Sequence, residues 1–109
     1  MFNMEEIMKI NLLTDITYQS GAIVSKTIVK NDGGNFTLFA FDKEQSLSEH
    51  TAPFDAIFFC CEGKFRVTID SQEHIISGNE LIVLPANIPH GVIAEEQSKC
   101  FLTMIKTKT

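Results

Sequence analysis

The sequence predicts an all-β fold, a barrel or two-sheet sandwich preceded by a short N-terminal helix. Three observations carry this. After the first dozen residues no long run of apolar residues recurs at the helical spacing. Some eight short segments rich in β-branched and aromatic residues are separated by Gly, Asn, Asp and Ser clusters at regular intervals. In Phe65-Arg66-Val67-Thr68-Ile69 apolar and polar residues alternate strictly, which is the period of a half-buried strand.

In chain order, Asn3 followed by Met4, Glu5 and Glu6 reads as a helix start, with the Asn side chain capping first-turn amides and the acids favourably placed on the dipole. Ala22 to Lys30 is the first strand, with Val24, Lys26, Ile28 and Lys30 on one face. Asn31-Asp32-Gly33-Gly34-Asn35 accepts positive φ and turns it into the apolar run Phe36 to Phe41, making a hairpin. Leu47 to His50 is short and extended, and Ala52-Pro53 rules out a helix there. Ala56 to Cys61 is apolar throughout, as a strand buried on both faces would be. Glu62-Gly63-Lys64 leads into the alternating strand, which places Phe65, Val67 and Ile69 inside. His74 to Ile76, Leu81 to Leu84, His90 to Ala94 and Cys100 to Lys106 supply the remaining strands.

The 109 residues are the size of one ordinary domain, and 44% hydrophobic content with nine Phe describes a globular chain. A net charge of −5 with nine basic residues spread along the chain would repel a phosphate backbone, so no nucleic-acid partner is expected. The longest apolar run falls far short of the ~20 residues of a membrane-spanning helix, and the N-terminus lacks an export signal. A cytoplasmic protein with no membrane partner is the expectation. The three cysteines cannot all pair internally, and the adjacent Cys60 and Cys61 point to opposite faces of a strand, so no disulfide framework is expected.

Two histidines stand beside strand segments: His50 in Leu47-Ser48-Glu49-His50-Thr51-Ala52-Pro53, and His90 closing Pro85-Ala86-Asn87-Ile88-Pro89-His90. The succession of His50, a Pro-containing loop, an apolar strand, Gly63, a hairpin and the Pro-rich turn into His90 resembles the cupin superfamily. In particular it is similar to the small single-domain bacterial cupins of the conserved-barrel (cupin 2) type, whose members carry phrases much like Phe39-Ala40-Phe41-Asp42-Lys43 and Leu47 to Ala56. The resemblance spans roughly Thr17 to Lys106. It implies a single jelly-roll β-barrel domain and a homodimer built through sheet and N-terminal strand contacts. Consistent with the dimer, the segment Ile23 to Phe41 has more apolar surface than one barrel interior takes up.

Metal-binding cupins are expected to hold their ion with three imidazoles and a carboxylate. Here Ser48 stands at the first His position, His50 at the second, Ala56 at the glutamate position and His90 at the last. Asn79 replaces a family glycine before Glu80, and Asn is the residue other than glycine that best tolerates the left-handed region. Ser71 likewise stands where a hairpin glycine is common, so that turn is expected to differ in type.

His50 and His90 therefore form at most half of a site for a divalent transition metal such as zinc, iron, nickel or manganese. Cys60 is a candidate third ligand by strand parity, but cysteine is among the commonest buried residues and the reading as a small core hydrophobe is favoured. Asp55 substitutes for the lost carboxylate only if a bulge re-aims its strand. The alternative is an amphipathic pocket of Ser48, His50, Phe58, Cys60 and His90 for a small aromatic or carbonyl compound. Apolar residues available to line it are Phe36, Leu38, Phe58, Phe65, Val67, Leu81, Val83, Ile93 and Met104, most of which must fill the core. No catalytic residue stands out, since Ser48 and His50 lie side by side on one strand without an oriented acid. His74 and Arg66 read as surface residues. The leading functional expectation is a small-molecule binding protein or sensor with a degenerate metal site. A metal-dependent isomerase or dioxygenase acting on a small carbonyl or phenolic substrate is the second, and a structural dimer module with no site is the third.

Overall fold

The computed structural model describes residues 7–106. Nine strands follow one another: β1 (Ile23–Asn31), β2 (Gly34–Phe41), β3 (Ser46–His50), β4 (Asp55–Glu62), β5 (Lys64–Ile69), β6 (Gln72–Ser77), β7 (Glu80–Leu84), β8 (His90–Ala94) and β9 (Ser98–Ile105). They form two antiparallel sheets, one ordered β1-β2-β9-β4-β7 and the other β3-β8-β5-β6. The two sheets face each other as a jelly-roll barrel, because β9 returns from the end of the chain to lie between β2 and β4.

The helix start at Asn3 to Glu6 lies outside the described residues. Residues 7–11 are coil and 12–16 are turn and bend, so no helix occurs among the described residues. One helix-like turn does form: Asn11 Oδ1 accepts from the amides of Leu13 and Thr14, and Asp15 Oδ2 accepts from the amide of Asn11. It stops there because Ile16 turns into the protein, where it is buried. No helix among the described residues is long and apolar enough to cross a membrane.

The main core lies between the sheets. Phe65 is its hub, meeting Phe41 edge-on at 5.2 Å and Phe58 edge-on at 5.0 Å between ring centroids. Each such pair contributes roughly 0.5–1.5 kcal/mol beyond the area it buries. As expected, Phe65 and Val67 point in, while Arg66 points out to ion pairs with Glu73 and Glu95. His74 is exposed.

A second apolar cluster lies on the outer face of the five-stranded sheet. Leu38 and Ala40 are fully buried there beneath Ile10, Leu12, Ile16 and Tyr18 of the N-terminal segment. That segment is latched: Tyr18 donates to Glu62 Oε2 at 2.6 Å, and Lys99, buried, donates to the Leu13 carbonyl and lies 4.9 Å from the Tyr18 ring centre. Burial and the bond to Glu62 push the Tyr18 phenol well above its ordinary range. The strand Ala56 to Cys61 is therefore not equally buried on its two faces. Ala56, Phe58 and Cys60 are in the core, whereas Ile57, Phe59 and Cys61 are only half-buried on the outer face.

The Asn79 turn is as the sequence predicts, whereas the Ser71 turn, expected to differ in type, keeps the geometry that glycine favours. The β5–β6 hairpin closes through Asp70 and Ser71 alone, at φ of 49° and 67°, which is a type I′ turn made without glycine. Asn79 takes φ 70°, so the reversal before β7 is kept with Asn in place of glycine. Gly63, at φ 89°, has no substitute: a Cβ there would lie 2.2 Å from Ser98 Oγ and 2.6 Å from the Gln97 carbonyl oxygen. Because an L-residue in the left-handed region costs about 1–2 kcal/mol, Ser71→Gly is expected to stabilise the fold by roughly 0.5–1 kcal/mol, read from the midpoint of urea unfolding at unchanged slope.

Candidate functional site

The histidine pair is assembled by two different devices. His50 ends the edge strand β3, and β3 carries one more residue than β8 between the Leu47–Val92 and His50–His90 pairs. This bulge breaks the alternation, so that Leu47 and His50, three apart, both border the interior cavity, His50 from its solvent-exposed rim, while Ser48 does not. The bulge seats on Gly91, where even a Cβ would come within 3.3 Å of the Leu47 carbonyl and the Glu49 amide. His90 is delivered by the Pro-rich turn. Asn87 adopts φ 66° and donates its amide to the Ala52 carbonyl at 2.7 Å, and the Ala86 amide donates to Asp55 Oδ1 at 2.9 Å. Asp55 is thus a clamp on the loop that carries His90.

The two imidazoles meet edge to face with centroids 4.5 Å apart. His50 Nδ1 lies 2.8 Å from the Ser48 carbonyl and His90 Nδ1 lies 3.2 Å from the Ile88 carbonyl. A carbonyl only accepts, so each Nδ1 must carry the hydrogen, and each neutral ring keeps its lone pair on Nε2. Among the described residues neither Nε2 has a protein partner. His90 is only 7% exposed, and burial holds its pKa below the ordinary value; the nearby His50 pushes the same way, and the Ile88 carbonyl opposes both.

Beneath the pair is a cavity of about 40 Å³ with apolar walls of Phe39, Leu47, Phe58, Leu84, Val92 and Leu102. Of the pocket expected from sequence, the structure brings together His50, Phe58 and His90. Ser48 is turned out by the bulge. Cys60 is buried two residues beyond Phe58 along β4, where its thiol lies 3.4 Å from the Glu62 carbonyl oxygen and 3.7 Å from that of Gly63. Burial pushes the Cys60 thiol up to about 12. Of the other residues read as available to the cavity, Phe65, Val67 and Met104 belong to the core, Phe36 and Leu38 to the outer cluster, and Leu81 and Val83 to exposed β7. Ile93 is on the outward side of β8. The lining residues missed include Val92, for which a signal existed: it stands two residues after His90 and shares its face.

A family model described as a cupin domain matches residues 37–106. This chain belongs to the cupin family. No curated protein matches it. Among solved structures, a conserved protein of unknown function from Streptococcus pyogenes is 28% identical, with a TM-score of 0.89 over 99% of this chain and 95% of that one. A cupin 2 conserved barrel domain protein from Leptotrichia buccalis is 40% identical, with a TM-score of 0.81 over 84% of this chain and 44% of that one. A cupin superfamily protein from Desulfitobacterium hafniense is 20% identical, with a TM-score of 0.81 over 84% of each chain, and shares the fold.

Cupins often bind metals, and the donor set here can be tested against that chemistry. A resident transition metal ordinarily takes three or four protein ligands. At the missing ligand positions this cupin has the exposed Ser48 and the buried methyl group of Ala56, and among the described residues no three His, Cys, Asp or Glu side chains gather. Two imidazoles alone do not fit a tightly held ion.

The depressed His90 pKa makes a signed prediction. Because the folded state favours the neutral ring, His90 adds stability in full above the unfolded value near pH 6.5, and that contribution is lost as pH falls through the lower folded value. The thermal midpoint of the wild-type protein should therefore fall more steeply between pH 7.5 and 5 than that of His90→Gln; parallel curves would contradict it.

Proposed function

We propose that this cupin binds a small aromatic or carbonyl compound through a hydroxyl or enol hydrogen, with the Nε2 atoms of His50 and His90 as acceptors. The observation that carries this reading is the placement of the pair: both Nδ1 atoms lie within hydrogen-bond distance of main-chain carbonyls beside an apolar cavity, which implies a tautomer with both Nε2 atoms as acceptors. Such a surface suits a ligand with an apolar body and one donor. It offers no basic cluster for a phosphate.

The size of the cavity adds a condition. About 40 Å³ is room for a water molecule or two, against the ~300–1,000 Å³ of pockets that enclose drug-sized ligands. The ligand is accordingly a few-atom body, or it enters by displacing the wall that yields most readily. That wall is β3, a five-residue edge strand paired on one side only, and it carries both Leu47 and His50.

The test is a comparison of isosteres. Phenol and small enols should bind saturably, followed by nuclear magnetic resonance of the imidazole nitrogens, and phenol should exceed toluene by about tenfold in affinity, as one partly desolvated hydrogen bond implies. His90→Leu should erase that preference while keeping the fold. Equal affinity for toluene, or no saturable binding by any of them, would sink the reading. Stoichiometric zinc, iron, nickel or manganese in protein purified without a histidine tag, lost on His50→Ala, would replace it with the metal-dependent enzyme.

A further inference from the structure

The turn that delivers His90 is moored at both of its ends. Pro85 to Ile88 form a turn of the type II kind, in which only the third residue, Asn87, has positive φ and the Ile88 amide points back to the Pro85 carbonyl at 3.4 Å. Its two central amides are held by the segment that leads into β4: Ala86 donates to Asp55 Oδ1 at 2.9 Å and Asn87 to the Ala52 carbonyl at 2.7 Å. At the far end the Pro89 carbonyl accepts from the Asp70 amide at 2.9 Å. The Ile88 carbonyl lies between these moorings, and it is the group that His90 Nδ1 reaches at 3.2 Å.

We infer that Asp55 is a positioning residue for His90: by holding the Ala86 amide it keeps the Ile88 carbonyl on Nδ1, and so decides which nitrogen of that ring is the acceptor. Of the moorings only this one is made by a side chain, so only here does residue type, rather than the path of the main chain, determine whether the bond exists. Asp55 is exposed, but a carboxylate acceptor makes the stronger class of hydrogen bond, and no ion pair among the described residues competes for it. The bond to His90 has little slack. At 3.2 Å it is already longer than the about 2.9–3.0 Å usual for N–H···O, so a shift of the turn by a few tenths of an ångström releases it. The tautomer of a neutral imidazole is set by the partners its nitrogens find. A released His90 therefore carries its hydrogen on Nε2 in a share of the molecules, and there it no longer accepts.

His50 supplies an internal control. Its Nδ1 is 2.8 Å from the Ser48 carbonyl, an acceptor two residues back on its own strand, and the Pro85 to Pro89 turn takes no part in that contact. Loss of the Asp55 carboxylate should thus act on one ring of the pair and not on the other. Its effect on a ligand rests on the hydroxyl-binding reading of the site, whereas the tautomer is a property of the free protein and is measured without any ligand.

Nitrogen-15 nuclear magnetic resonance of the free protein near pH 8, where the rings are neutral, reads both nitrogens of each histidine, assigned with His50→Gln and His90→Gln. The wild-type protein should show Nδ1 protonated in His50 and His90 alike. In Asp55→Ala the His90 Nδ1 resonance should move towards the unprotonated position and Nε2 the opposite way, with His50 unchanged. Asp55→Asn, whose amide oxygen accepts the same bond, should restore the wild-type spectrum. Because Val suits a strand position, Asp55→Val carries the same test should Asp55→Ala fail to fold. The preference for phenol over toluene should fall from about tenfold to a few-fold in Asp55→Ala and return in Asp55→Asn. A folded Asp55→Ala protein of lower stability with His90 still protonated on Nδ1 would show a purely structural role and overturn the inference, as would the same tautomer shift in Asp55→Asn. A tautomer shift confined to His90, in a protein that binds phenol and toluene alike, would uphold the inference and sink only the ligand.

Discussion

One extra residue on β3, inserted between the Leu47–Val92 and His50–His90 pairs, determines which side chains enter this barrel. In an uninterrupted strand the residues on the inner face are two apart, so His50 would have brought Ser48 with it. The bulge instead gives the inner face Leu47 and His50, one apolar and one polar, and puts Ser48 in solvent. It also sets His50 directly opposite His90 and lets the Ser48 carbonyl accept from the His50 ring. The composition of the cavity, the contact of the two imidazoles and the tautomer of one of them thus depend on a single irregularity, which seats on Gly91 because that residue has no side chain.

Much of this fold is legible in the sequence, and the parts that are not share a cause. Strand positions, the β1–β2 and β5–β6 hairpins, the left-handed Asn79 and the inward set of β5 all follow from residue types and period. The facing of β2, β7 and β4 does not. In Phe36 to Phe41 every residue except Thr37 is apolar, because one face enters the barrel and the other meets the N-terminal segment or lies open. Period-2 reading needs one polar face to break the tie. Only β5, whose outer face is Arg66 and Thr68, offers it, and there the expectation and the structure agree.

The histidine pair was legible for a different reason. Each ring follows or precedes a turn whose residues restrict the backbone, Ala52-Pro53 after one and Pro85 to Pro89 before the other, so the ends of β3 and β8 could be placed without knowing the interior. The loss of Ser48 and Cys60 from the cavity could not be seen, since a bulge leaves no mark in composition. Cys60 is two residues past Phe58, about 7 Å along the strand, and Phe58 itself walls the cavity. Its thiol remains protonated for the same reason that it is remote from ligand chemistry: it lies in the core, against two main-chain carbonyls.

Closure and polarity at this site are linked through β3. An apolar cavity of about 40 Å³ gains little from being opened to water, and the sheet gains hydrogen bonds by keeping β3 paired, so the free protein favours the closed form. The ligand proposed for this site would shift that balance only by what it gained specifically in an open form. Apolar contact with Phe58, Leu84 and Leu102 is one such gain, and a donor hydrogen to an Nε2 held by no protein group is another. The two rings are held differently: the loop before His90 is tied to Ala52 and Asp55, whereas His50 ends an edge strand paired on one side only. The two rings, alike in chemistry, thus differ in how firmly the surrounding chain fixes them.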